Sequence, residues 1–162
     1  MTAAPPYDWI DPYMQRAADF LGLGDWAIRL EHQTGLSAQR GAINEVVQAT
    51  CAASWPYLDA QITFDSQTWV DVMCEPSEPA KTIIVHELCH ILLAGLSLAM
   101  EEIINVYFPS MDVEENVVET RKSVAFTLYR NHEEHTIVRL SRQIYAALER
   151  ESQSAEPTPT QV

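Results

Sequence analysis

The stretch Thr82-Ile83-Ile84-Val85-His86-Glu87-Leu88-Cys89-His90-Ile91-Leu92-Leu93 constrains this chain more than any other. It is apolar nearly all round, the pattern of a helix at the centre of a fold. Yet it carries three ionisable groups. On an α-helix, positions i and i+4 lie one turn apart on the same face, so His86 and His90 present two imidazoles toward one point. Two imidazoles so placed can hold one Zn²⁺, leaving positions for a third ligand and a water. Glu87 projects beside that water, where a carboxylate can take its proton. The alternative is a pair of core histidines held by hydrogen bonds, with Glu87 turned to solvent. Three ionisable groups on so apolar a background are costly without a metal to organise them, which favours the zinc reading. Pro79 marks the helix start, and Gly95 is expected to loosen or end it.

The rest of the chain frames that helix. A length of 162 residues suits one domain with a proper core, here residues 1–151. Residues 152–162 are rich in Ser, Thr, Pro and Gln and read as a disordered tail. A formal charge of −13 argues against nucleic acid as a partner, because nothing offsets phosphate repulsion. Cys51, Cys74 and Cys89 are odd in number and show no paired spacing, which reads as reduced thiols in a cytoplasmic setting. Residues 1–12 lack the basic start and apolar run of a signal peptide. The longest apolar run is interrupted by His86, Glu87 and His90, so no membrane span is expected.

Periodicity sets the remaining elements. Residues 13–21 read as an amphipathic helix, stopped by Gly22 and Gly24. Residues 26–32, 46–55 and 57–65 read as three strands, the last with Ala60, Ile62 and Phe64 facing inward. Short links suggest antiparallel pairing. A short helix is expected over 67–74 and another over 100–106. After a turn at Pro109-Ser110, with Asp112 as cap, comes a long helical region with a break near Asn131. The expected class is α+β: a small antiparallel sheet of about three strands packed on the histidine helix and a long C-terminal helical region.

The third ligand must come from elsewhere. Glu101 and Glu102 follow His90 too closely to return to its face, and Asp112 suits a cap. Glu114, Glu115 and Glu119 remain, opening a helix able to pack antiparallel to the first. Val117 and Val118 supply apolar surface that turns this face inward and favour Glu115, with Glu114 or Glu119 kept open. Carboxylates there would also suit the positive end of the helix dipole with no metal at all.

The combination of His-Glu-x-x-His with a glutamate from a following helix resembles the gluzincin metallopeptidases. The run Leu21-Gly22-Leu23-Gly24-Asp25-Trp26, the sheet and the motif together look like small phage-type and bacterial metallopeptidases, over most of residues 21–124. The resemblance implies a minimal zincin-like fold and a phage or prophage origin. It also implies that Glu119, four residues past Glu115, orients His86 by a hydrogen bond, although gluzincins of the thermolysin type carry aspartate there.

Three groups stand outside this scheme. Asn131-His132-Glu133-Glu134-His135 lies among charged residues and reads as a solvated helix face. His32 falls on the inward face of a strand and reads as a core histidine. A tyrosine donor for a developing oxyanion is wanted; Tyr57, Tyr107 and Tyr129 are available, and Tyr129 is disfavoured because fourteen residues of helix, about 21 Å, would separate it from Glu115. The expectation is therefore a zinc metallopeptidase acting on a peptide or protein: His86, His90 and Glu115 as ligands, Glu87 as general base, and the strand at 57–65 pairing with extended substrate. A non-catalytic zinc-containing binding module, or a zinc hydrolase of some other bond, is the alternative.

Overall fold

Strict alternation builds the sheet. In β3 (Asp59–Asp65), Ala60, Ile62 and Phe64 are buried while their neighbours are half-exposed. β1 (Ala27–Gln33) and β2 (Ala49–Ser54) flank it, giving the order β1-β3-β2. The computed structural model describes residues 8–36, 47–107 and 115–155, without the side chains of 115–119 and 155.

The sheet is mixed, where antiparallel pairing was expected. β2 pairs antiparallel with β3 across the tight Trp55–Tyr57 turn, but β1 pairs parallel with β3. The reason lies in the link over residues 34–48, which is long enough to carry the chain past the place β3 later fills. The solvent face of the parallel pair is cross-linked by Arg29 to Asp59 at 2.8 Å and by Gln61 to Glu31 at 3.0 Å.

Among the described residues four helices join the sheet: α1 (Ile10–Phe20), α2 (Ser66–Cys74), α3 (Glu78–Tyr107) and α4 (Glu115–Ala155). Gly22, at φ +72°, ends α1 in the left-handed conformation, and Leu23 N–H returns to the Ala18 carbonyl at 2.8 Å. Asp65 caps α2 by accepting from Gln67 N–H at 3.1 Å. Ser77 caps α3, with Pro79 in the first turn where no N–H is needed.

α3 is the middle layer. Ile84, Val85, Leu88, Cys89 and Ile91 are fully buried and join Ile62 and Phe64 of the sheet with Ile137, Ile144 and Leu148 of α4 in one core. By length and composition α3 is also long and apolar enough to cross a membrane, despite the three ionisable groups. The expected break at Gly95 is absent, and the separate helix over 100–106 is the continuation of α3. Gly95 serves a close approach instead: a Cβ there would lie 3.0 Å from the Trp55 indole. α4 likewise runs through Asn131 unbroken and extends to Ala155, into the expected tail. Arg16 of α1 donates to Ser152 there at 2.6 Å. Residues 156–162, the Pro109-Ser110 turn and Asp112 lie outside the described residues.

α3 and α4 form an antiparallel hairpin. Lys81, near the start of α3, holds both carboxylate oxygens of Glu149, near the end of α4, at 3.0 and 3.1 Å. The same ammonium lies over the Tyr13 ring, which ties in α1.

Candidate metal centre

Helical spacing brings His86 and His90 together on the face of α3 that meets α4. Their rings lie 5.1 Å apart, edge to face. From α4 comes one carboxylate that straddles both: Glu134 Oε1 is 3.1 Å from His86 Nε2, and Oε2 is 3.5 Å from His90 Nε2. One donor atom from each of the three residues falls within 4.8 Å of the others. Ligands at about 2.0–2.2 Å around a tetrahedral ion stand about 3.3 Å apart, so the two histidine–carboxylate separations suit a shared Zn²⁺. Two imidazoles and one carboxylate are also a donor set that leaves a coordination position open.

Glu134 and His90 titrate away from their ordinary values. Hydrogen bonds to His86 and then His90 hold the Glu134 carboxyl well below the usual carboxylate range. For His90, burial works against the charged ring. The hydrogen bond to Glu134 and the negative charges of Glu87, Glu134 and Glu133 outweigh it, and the net shift is upward.

Glu87 is 4 % exposed and sits where α3 packs on β2. Its charge reaches two thiols: burial first, then Glu87, pushes Cys51 of β2 and Cys89 of α3 each up to about 12. The carboxylate lines a cavity of about 660 Å³ together with His86, His90 and Glu134, and with Ala49, Thr50, Cys51 and Ala53 of β2 as the facing wall. A second cavity of about 340 Å³ is also lined by His86, Glu87 and Glu134, with Thr82, Ile83 and Val138. These three groups thus line both hollows.

Tyr129 lines the larger hollow, where its hydroxyl donates to Ser97 Oγ at 2.9 Å. Burial holds its phenol above the ordinary value, with the nearby Glu133 carboxylate adding to the shift and the Ser97 hydrogen bond opposing it. Tyr57 and Tyr107 are exposed to solvent and line neither hollow.

His86, Glu87 and His90 line one cavity. The side chains of Glu115 and Glu119, and all of Glu114, lie outside the described residues. Glu115 opens α4, nineteen residues from Glu134 and about 28 Å away along the axis. The carboxylate that does meet the histidines belongs to the stretch read as a solvated face. For His132 and His135 that reading holds, since both are exposed. It fails for Glu134. His32 is no core histidine either: it is exposed and stacks on Trp69, ring centroids 5.6 Å apart.

The signal that finds Glu134 is hairpin arithmetic. The turn that the sequence leads one to expect at 109–112, set between two unbroken helices, mirrors position 88 to about 130–136, and Glu133 and Glu134 are the carboxylates there. No family model, curated protein or solved structure matches the chain.

Proposed function

We propose that this chain is a zinc-dependent hydrolase of peptide bonds, with His86, His90 and Glu134 as the metal ligands. The observation that carries the reading is the Glu134 carboxylate set across both histidines of a His-Glu-x-x-His helix. Zn²⁺ held there would supply Lewis acidity, bringing the pKa of a water near neutrality.

The chain's own groups do the rest. Glu87, a buried carboxylate at the cavity wall, takes the proton of the attacking water and returns it to the leaving nitrogen. Tyr129 lines the same cavity, and its hydroxyl, given to Ser97 at rest, would reach the oxygen on which charge develops by leaving that bond. Two hollows that share His86, Glu87 and Glu134 in their walls suit an extended chain better than a compact small molecule. β3 cannot receive that chain, because both its edges are already paired. β2 can: among the described residues it has β3 on one side and no strand on the other, and it walls the cavity. The gluzincin likeness then rests on the zinc motif and on a glutamate from the next helix, which lies forty-four residues past His90.

The test is hydrolysis of an unstructured protein and of a mixed peptide library by zinc-loaded protein. Glu87→Gln should keep the metal and lose at least about 100-fold in rate. Unimpaired cleavage by Glu87→Gln, or none by the zinc-loaded wild type across the library, overturns the proposal.

A further inference from the structure

Glu134 is half-exposed, at 52 %, on a helix that meets α3 only along one face. A metal ligand needs placement to about 0.5 Å, yet a one-residue slip of α4 moves Glu134 by about 1.5 Å and turns it about 100°. The buried Ile137, three residues past Glu134, turns this side of α4 to the core, and a polar link beside the site can fix its register more closely. The Lys81 bridge to Glu149 is fifteen residues from Glu134, about 22 Å along the axis, and sets only the far end. Arg130 and Glu101 stand 3.9 Å apart on exposed side chains, too loose to hold a register.

A third link is close and half-buried. Ser97 lies seven residues past His90, two turns on and within about 20° of the same face of α3. Its hydroxyl donates to Glu133, the residue directly before Glu134, and accepts from Tyr129, one turn earlier on α4. The Leu93 carbonyl lies 3.1 Å from the same hydroxyl, but a carboxylate is the stronger acceptor for its single proton. Glu133 and Glu134 point about 100° apart on the helix. When Glu133 is drawn to Ser97, Glu134 is left facing the histidines.

We propose that Ser97 is a positioning residue for the metal centre: by tying Glu133 to α3 it sets the register and rotation of α4 that bring Glu134 to His86 and His90. This rests on the zinc reading above, and it adds residues that are not themselves metal ligands.

The experiment is zinc affinity of the full chain, by competition with a chromophoric chelator, beside far-ultraviolet circular dichroism of the metal-free forms. Ser97→Ala and Glu133→Ala should each weaken zinc at least about tenfold with helicity unchanged. The double variant should be no weaker than Ser97→Ala, because Ser97→Ala already removes the link to Glu133. Ser97→Thr, which restores the hydroxyl, and Glu133→Gln, which keeps an acceptor oxygen, should recover most of the affinity. Arg130→Ala should bind as the wild type does. If Glu134→Ala loses zinc while Ser97→Ala and Glu133→Ala bind normally, the positioning role is overturned and the ligand set stands. If the wild type binds no zinc, both fall.

Discussion

Leu88 and Leu96 lie eight residues apart in one apolar run of one helix, and the fold assigns them opposite fates. Leu88 is fully buried between the sheet and α4, whereas Leu96 is 58 % exposed. Truncating a buried leucine removes its transfer free energy and leaves a cavity that a close-packed surround only partly closes, at about 2.7–5 kcal/mol. Leu88 belongs to one core with Ile62 and Phe64 of the central strand and Ile137 of α4, all fully buried, so about 3–4 kcal/mol is expected for Leu88→Ala. Leu96→Ala, with little to lose, should cost under about 0.5 kcal/mol. For a chain of this size the difference is about 6–16 °C in melting temperature. The assay is urea unfolding of chelator-treated protein, so that bound metal adds nothing to the apparent stability. Equal losses at the two positions, or a loss under about 1 kcal/mol at Leu88, would refute the placement of α3 as the middle layer.

Two further predictions follow from the chemistry of the site. Iodoacetamide at pH 8 should label the native protein once, at the exposed Cys74, and all three cysteines only after unfolding, because burial and then the Glu87 charge hold the Cys51 and Cys89 thiols protonated; rapid native labelling of Cys51 would contradict this. In the metal-free protein the raised His90 contributes stability that is full below its ordinary 6.5 and lost as pH rises through its folded value. The depressed Glu134 contributes above its ordinary 4.5 and loses that share as pH falls through its folded value, so the urea midpoint should gain most between pH 4.5 and 6.5, and Glu134→Ala should flatten that gain.

The parts of this molecule that were legible in the sequence are those set by short-range periodicity. A four-residue repeat put His86 and His90 on one face, and a two-residue repeat put Ala60, Ile62 and Phe64 inside. What escaped depended on partners distant in the chain. Gly95 looks like a helix end until Trp55, forty residues earlier, is found against it. The parallel pairing of β1 with β3 joins strands about thirty residues apart, which no local pattern records. Continuation of α3 to Tyr107 carried the start of α4 about 25 Å beyond His90 and the middle of α4 back to it. Glu134 was hidden for that reason. In its own stretch it is one charge among many, and only the level of the hairpin distinguishes it.

The central claim is that Glu134 completes a zinc site with His86 and His90. Its most direct test is the metal content of purified, zinc-reconstituted protein, measured by mass spectrometry for the wild type and for single alanine variants. About one zinc per chain is expected in the wild type and in Glu115→Ala, with loss in His86→Ala, His90→Ala and Glu134→Ala. Zinc kept by Glu134→Ala and lost by Glu115→Ala, or no zinc in the wild type, would contradict the account.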